Sequence, residues 1–228
     1  MKCRVLVDFD GTIAPIDTTD LLLETYALPE WRLIEEDWKA GRIGSRECLV
    51  RQIDLVRATP AQMDGFIDGL EIDAGFARFV NLVERLGHSV AVVSDGLDRT
   101  INNVLERNDI DIPHFANHLE WCGGDRWRLS FPHARSDCSA LSGNCKCAFA
   151  EGQPRQLKVL VGDGRSDFCL AGRADLVLAK SSLLKHCRAN DLPHIPFDNF
   201  EHATALLAGW LADNVTEPAV STRASKPE

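Results

Sequence analysis

Two carboxylates one residue apart, Asp8 and Asp10, close an apolar run in the segment Val5-Leu6-Val7-Asp8-Phe9-Asp10-Gly11-Thr12. This pairing suits phosphoryl transfer. One carboxylate can attack phosphorus and carry the phosphoryl group as an acyl phosphate, while its neighbour two residues on gives and takes protons. A hard cation such as Mg²⁺ would neutralise the cluster. Taken alone, the segment can also be read as a solvated Asp-Gly turn after a strand.

The arrangement repeats. A second apolar run, Val90-Ala91-Val92-Val93, ends in Ser94-Asp95-Gly96, and a third, Val159-Leu160-Val161, ends in Gly162-Asp163-Gly164-Arg165-Ser166-Asp167. Short apolar runs of this kind read as buried parallel strands, and the loops after neighbouring strands of such a sheet lie side by side. Asp8, Asp10, Ser94, Asp163 and Asp167 are therefore expected to converge on one crevice. The Ser94 hydroxyl and the amides of Asp95 and Gly96 can bond phosphate oxygens there. Thr12 is placed with this phosphate-binding group and is expected to orient Asp10.

With these residues in this order, the chain resembles the haloacid dehalogenase superfamily of phosphohydrolases, whose motifs are an Asp-x-Asp pair, a Ser or Thr, a Lys, and an acidic pair. The resemblance spans positions 8 to 167. It implies an α/β fold, a Rossmann-like parallel sheet core with a small helical cap inserted after the first strand and a β-hairpin extension. It also implies Asp8 as nucleophile and Asp10 as general acid and base, with Mg²⁺ held by Asp8, the Asp10 backbone carbonyl, Asp163 and Asp167, the last directly or through a metal-bound water. The motif lysine is open among three. Lys158 lies about five residues, or ~16 Å at ~3.3 Å per residue, before Asp163 on the wrong edge of the sheet. Lys146 matches the motif in order and is preferred, and Lys180, after the fourth strand, is its geometric rival.

These residues need elements to hold them. Between Pro15 and Leu70 the apolar period is helical (Leu21-Leu22-Leu23; Trp31, Ile34, Trp38; Leu49, Ile53, Val56; Met63, Phe66, Ile67), punctuated by Pro29, Gly41, Gly44 and Pro60. The segment 15–70 is read as a cap of about four short helices that excludes water and selects the substrate, with 1–14 and 71–213 as core. Helices are expected over Ala74–Leu86, Asp98–Arg107, Phe168–Gly172 and Asn199–Leu211, and a strand over Leu176–Ala179. Asn117–Cys122 and Arg126–Phe131 flank Gly123-Gly124-Asp125 as a hairpin. Residues 214–228 lack apolar period and are read as a disordered tail.

The composition sets outer limits. A chain of 228 residues, 45% hydrophobic and 26% charged, can bury one sizeable core. A net charge of −9 and a pI near 5.3 argue against nucleic acid as a partner, since phosphate backbones require clustered Lys and Arg. A small phosphorylated metabolite is the expected partner. No stretch has the length of a membrane span, and Met1-Lys2-Cys3-Arg4 leads directly into the first strand, so no membrane association and a cytoplasmic location are expected. Most of the eight cysteines are expected to be reduced. Cys138, Cys145 and Cys147, with Cys122 nearby, could form a thiolate metal site, although their spacing departs from the usual zinc pairs.

The cap, hairpin and motif order resemble the phosphoserine phosphatase branch of the superfamily. Within it, Leu28-Pro29-Glu30-Trp31, Phe131-Pro132-His133, Asn144-Cys145-Lys146-Cys147, and Leu183 to Arg188 running on to Leu192 to Phe197 resemble the methionine-salvage phosphatases for 2-hydroxy-3-keto-5-methylthiopentenyl-1-phosphate. Two departures bear on substrate. Ser94-Asp95-Gly96 replaces the usual Ser-Gly-Gly and adds a carboxylate. Asp17 stands where phosphoserine phosphatases carry a substrate-binding Glu, while Gln52 replaces their carboxylate-binding Arg, with Arg51 adjacent. Asp17 and Arg51 are thus the candidate specificity residues. Phosphoserine or another small phosphomonoester is the alternative substrate, and a catalytically silent zinc- or protein-binding relative is the alternative of another class.

Overall fold

The first strand, β1 (Cys3–Val7), is almost wholly buried, because it lies inside the sheet with helices against both faces. Its side chains alternate between two cores. Val5 and Val7 join Phe76, Phe79 and Phe200 on one side, while Leu6 joins Ala91, Leu160, Val177 and Leu183 on the other. The computed structural model describes residues 1–138, 140–151 and 156–215. The tail expected to be disordered lies outside the described residues from 216 onward.

Strands β1, β2 (Ser89–Leu97), β3 (His114–Gly123), β4 (Arg126–Ser130), β5 (Leu157–Gly162), β6 (Leu176–Ala179) and β7 (His194–Pro196) form a seven-stranded sheet in the order β4-β3-β2-β1-β5-β6-β7. Among the described strands of this sheet, β3 and β4 pair antiparallel and the other neighbours pair parallel. Val7 is in register with Val92 of β2 and Val161 of β5, so all three acid- or hydroxyl-bearing loops emerge together at one edge.

Four helices lie between β1 and β2 before the crossover helix: α1 (Thr18–Tyr26), α2 (Trp31–Lys39), α3 (Ser45–Ile53) and α4 (Pro60–Asp68). Each short helix relies on a cap or on packing for its start. The Asp17 side chain accepts from the Asp20 amide to open α1, and Thr59 and Gln62 form a reciprocal capping box with Pro60 at the first position of α4. The hairpin props this group. Trp127 Nε1 donates to the Ala58 carbonyl at 2.7 Å, and Arg126 pairs with Asp54 at 3.0 Å.

The crossover helix α5 (Phe76–Arg85) and the final helix α9 (Phe200–Asn214) cover one face, joined edge-to-face by Phe76 and Phe200 with ring centroids 4.8 Å apart. Helix α6 (Asp98–Arg107) follows β2, and α7 (Phe168–Ala171) follows β5. Two elements lack a counterpart in the sequence reading. Helix α8 (Ser181–Ala189) has no side-chain cap and opens on Ser181 with φ of +50°, and β7 is a three-residue edge strand ending in proline. Among the described residues, no helix is long and apolar enough to cross a membrane.

Candidate active site

The chain leaves β1 through one wide turn closed by Ala14 N–H to the Phe9 carbonyl at 3.0 Å. Gly11 makes that turn possible. Its φ is +68°, and a Cβ there would sit 2.6 Å from an Asp163 carboxylate oxygen, so the first and third loops approach only across a glycine. Gly96 does the same for Asp10, since a Cβ on it would collide with Asp10 Oδ2.

Lys146 sits in a short 3₁₀ segment (Lys146–Ala150) and is 1% exposed. Its Nζ lies 2.7 Å from Asp8 Oδ1 and 2.8 Å from Asp167 Oδ1. Burial alone would lower this lysine, but the Asp167 and Asp8 charges outweigh it and hold the ammonium above its ordinary value. Asp8 still goes up: burial first, then the Asp167 charge, push its carboxyl well above the usual range, with Lys146 opposing. One lysine faces two buried carboxylates and cannot neutralise both. Asp163 is also raised by burial and by Asp167. One ligand oxygen from each of Asp8, Asp163 and Asp167 lies within 4.8 Å of the others, an arrangement that could hold a metal ion.

Asp10 stands half-buried beside this trio. Burial, then the Asp17 charge, push its carboxyl up to about 7, while two bonds from Thr18 pull it down. Those bonds reach Asp10 Oδ1 from the Thr18 amide at 2.8 Å and its hydroxyl at 2.5 Å. Here the structure departs from the sequence reading, in which Thr12 orients Asp10. The Gly11 turn carries Thr12 toward β5, where its hydroxyl donates to Asp163 Oδ1 at 3.3 Å. Thr12 therefore positions a carboxylate rather than facing the cavity.

Above these residues opens a cavity of about 540 Å³, lined on the sheet side by Asp8, Asp10, Ser94, Gly96 and Asp163. Ser94 Oγ accepts from Gly96 N–H at 3.0 Å, which folds the second loop into a tight cup. Asp95 borders the same cavity, but its carboxylate is already engaged. It accepts from the Asn144 amide at 2.8 Å, from Asn117 Nδ2 at 3.1 Å and from the Ser45 hydroxyl of α3. The extra acid of Ser94-Asp95-Gly96 is thereby consumed in tying the helical insertion, the hairpin and the Lys146 segment to the second loop.

On the helical side, Asp17 reaches the cavity and Arg51 does not. Ser45, Cys48, Leu49 and Gln52 follow one face of α3 at helical spacing and line the space. Arg51 falls on the outer face, exposed, with Glu47 at 3.5 Å and Asp37 at 3.8 Å. Gln52 is buried and donates to Glu35 Oε2 at 3.0 Å. Among the lysines, Lys158 packs at the opposite edge, its amide bonded to Asp175, and Lys180 Nζ lies 5.1 Å from the Phe197 ring centroid. Thr18 and Ser45 escaped sequence reasoning. The signal available for both was a hydroxyl in the first turn of a helix flanking the site.

Comparison with known proteins accords with this geometry. A family model described as haloacid dehalogenase-like hydrolase matches residues 5–172. The chain is 30% identical over 216 residues to the 2-hydroxy-3-keto-5-methylthiopentenyl-1-phosphate phosphatase of Exiguobacterium sp. (strain AT1b), covering 92% of this chain and 99% of that protein. It is 32% identical over 201 residues to the protein of the same name from Geobacillus kaustophilus, covering 85% and 90%. A solved structure described as a phospho-aspartyl intermediate analogue of phosphoserine phosphatase superposes with a TM-score of 0.68 over 90% of this chain and 98% of its own, at 22% identity, a likeness of fold. A family match across most of the chain, and relatives at this identity along nearly their whole length, make this a phosphatase that belongs to the haloacid dehalogenase-like hydrolases.

Proposed function

We propose that the protein hydrolyses the phosphomonoester of a small metabolite, with Mg²⁺, through an aspartyl-phosphate on Asp8, and that the substrate is 2-hydroxy-3-keto-5-methylthiopentenyl-1-phosphate of methionine salvage. The convergence of Asp8, Asp163 and Asp167 around the buried Lys146 carries this reading. Three carboxylates form a hard, all-oxygen donor set suited to Mg²⁺, and the single lysine leaves them with negative charge to spare. Asp8, Asp163 and Asp167 would hold the ion, with the Asp10 backbone carbonyl as a further ligand. Bound there, Mg²⁺ supplies charge neutralisation for an incoming phosphate dianion.

The chain's own residues perform the remaining work. The Ser94 hydroxyl, oriented by the Gly96 amide that donates to its oxygen, and Lys146 Nζ bind the phosphoryl oxygens and stabilise the charge that spreads over them. Asp8 attacks phosphorus as the P–O ester bond breaks, and Asp10 gives its proton to the departing alkoxide. Asp10, held by Thr18, then takes a proton from water as that water attacks phosphorus. Inorganic phosphate leaves, and the Asp8 carboxylate is regenerated.

The cavity wall favours the salvage compound over phosphoserine. Asp17, Asp20 and Glu35 line its outer part, outnumbering the cations there: Lys39 is already paired with Glu35 at 3.2 Å, and the Arg165 guanidinium lies over the Trp38 ring at 5.7 Å. A phosphoserine carboxylate would meet like charge, with Gln52 offering an amide engaged by Glu35. A hydroxy-keto body with a methylthio end carries no carboxylate, and Leu49, Trp38 and Cys48 offer apolar surface to the thioether.

The test is turnover of a panel containing the salvage compound, phosphoserine and an aryl phosphate, each with Mg²⁺ and with excess chelator. The salvage compound should give the highest kcat/KM, and chelation should abolish all activity until Mg²⁺ is restored. Preference for phosphoserine would overturn the substrate assignment alone. No turnover of any phosphomonoester would overturn the whole reading in favour of a silent relative.

A further inference from the structure

The helical wall of the cavity holds one buried polar side chain that is only half used. Gln52 is 2% exposed and lines the cavity from the inner face of α3. Its Nε2 donates to Glu35 Oε2 of α2 at 3.0 Å. Among the described residues, no donor reaches its Oε1. Buried polar atoms are costly to leave unpaired, so an amide oxygen kept open in a ligand cavity is matched by a donor on the ligand.

Glu35 decides which end of that amide is presented. A carboxylate accepts and does not donate, so it takes the amino end of Gln52 and leaves the carbonyl end for other partners. Glu35 is itself held in place. Its Oε1 pairs with Lys39 at 3.2 Å, one turn further along α2, and the Cys48 thiol donates toward Oε2 at 3.9 Å. Glu35, Lys39, Cys48 and Gln52 all line the cavity. The amide cannot turn over without setting its own oxygen against the carboxylate, so the carbonyl is the end it keeps for a ligand.

We infer that Gln52 is a specificity-determining residue, whose Oε1 accepts a hydrogen bond from a hydroxyl on the carbon skeleton of the substrate. This rests on the reading of the substrate as a hydroxy-keto phosphomonoester and names the side chain that reads the hydroxyl. A carboxylate gains nothing from an acceptor, and an ammonium is disfavoured by Lys39, seated on the same Glu35. A hydroxyl is small and neutral and donates one bond, which matches one neutral acceptor. An analogue without that hydroxyl leaves the buried oxygen unpaired and is discriminated against.

Pentyl phosphate, 2-hydroxypentyl phosphate and 2-aminopentyl phosphate test this with Mg²⁺, beside the salvage compound and an aryl phosphate. The parent should prefer the 2-hydroxy ester to the plain ester by on the order of tenfold in kcat/KM, the worth of one hydrogen bond to a buried partner. Gln52→Met keeps an unbranched stem of similar length and should bring the two esters within about threefold of each other, by loss on the 2-hydroxy ester, with the plain ester and the aryl phosphate within a few fold of the parent. Where an ester is turned over too slowly to measure, its Ki against the aryl phosphate gives the same ratio. Should Gln52→Met fail to fold, Gln52→Asn, which keeps an amide but withdraws it by one methylene, decides by that ratio. Equal values for the plain and 2-hydroxy esters in the parent, a ratio unmoved by the substitution, or a preference for the amino ester would each overturn the inference. The salvage compound's own rate bears on the substrate assignment and the ester ratio on Gln52, so the two readings fail separately.

Discussion

Replacing Lys146 by methionine removes a charge from a site where it is 1% exposed and lies 2.7 and 2.8 Å from two carboxylates, while keeping an apolar stem of similar length. Leaving buried charges uncompensated in this way costs about 3–5 kcal/mol. For a chain of this size, each kcal/mol is worth about 2–4 °C, so the metal-free Tm should fall by roughly 6–20 °C. Protonation of Asp8, whose carboxyl is already pushed up by burial and Asp167, absorbs part of this and favours the lower half of the range near neutral pH. Saturating Mg²⁺ should shrink the Tm deficit, because a cation among Asp8, Asp163 and Asp167 supplies positive charge by another route. It should not restore rate. Loss of a cation beside the transferring phosphoryl group costs on the order of 10²–10³ in kcat/KM. The assay is kcat/KM on an aryl phosphate together with thermal melts in chelator and in Mg²⁺, with Lys158→Ala and Lys180→Ala alongside. Lys158→Ala should stay within a few fold of the parent. A crippled Lys180→Ala beside a near-normal Lys146→Met would refute the assignment, and an unchanged metal-free Tm would refute the electrostatic argument.

Asp8→Asn should abolish turnover without lowering the metal-free Tm, because the amide removes a buried like charge from Asp167; a phosphoryl mimic such as beryllium fluoride bound to another residue in a crystal would sink the nucleophile assignment. Asp10→Asn should slow turnover by roughly 10²–10⁴, read by acid-quench kinetics of the phosphoenzyme, and parent-like kinetics would remove Asp10 from proton transfer. Asp20 is raised to about 6 by partial burial and then by Asp17, Glu35 and Glu24, with Lys39 opposing. Because its folded value exceeds its unfolded one, its contribution is fully present below about pH 4 and lost as pH rises through about 6, so Asp20→Asn should raise Tm more at pH 7.5 than at pH 5. Discounted for exposure to about 1 kcal/mol, the gain is roughly 2–4 °C, and equal gains at both pH values would contradict it. Asp95→Gly removes a charged acceptor from Ser45, Asn117 and Asn144, and should lower Tm by roughly 6–12 °C, the equivalent of about 3 kcal/mol, with a fall in kcat/KM; a parent-like melt would show that these ties carry no weight.

The legible part of the site was the part encoded within single loops. Apolar runs ending in Asp8, Ser94 and Asp163 announce buried strands with chemistry at their ends, because strand and loop are contiguous and a parallel sheet has one carboxyl edge. Lys146 was harder, since no periodicity places a lysine preceding a strand, and only motif order with the poor reach of Lys158 favoured it. Arg51 shows the resolution limit of such reading. A shift of one residue on α3 turns a side chain by about 100°, enough to exchange the cavity wall for solvent, and the lining set Ser45, Cys48, Leu49 and Gln52 defines the inner face once the helix bounds are known.

What the sequence withheld were contacts between elements, and Asp95 is the instructive case. Read locally, a carboxylate next to Ser94 belongs beside the phosphate and would repel it. The fold decides otherwise, because Asp95 borders the cavity beside Ser94 and Gly96 where β2 shifts register against β3, and its carboxylate is bonded to β3 and the Lys146 segment. There Asn117 and the Asn144 amide already converge, and Ser45 closes the third side from α3. Asn144 in turn donates to the Ser94 and Phe115 carbonyls, at 2.8 and 2.7 Å, two residues before Lys146. One acid thus joins the phosphate loop, the lysine segment and the helical wall, and a substitution that looks like a change of substrate acts on the rigidity of the frame that holds the lysine.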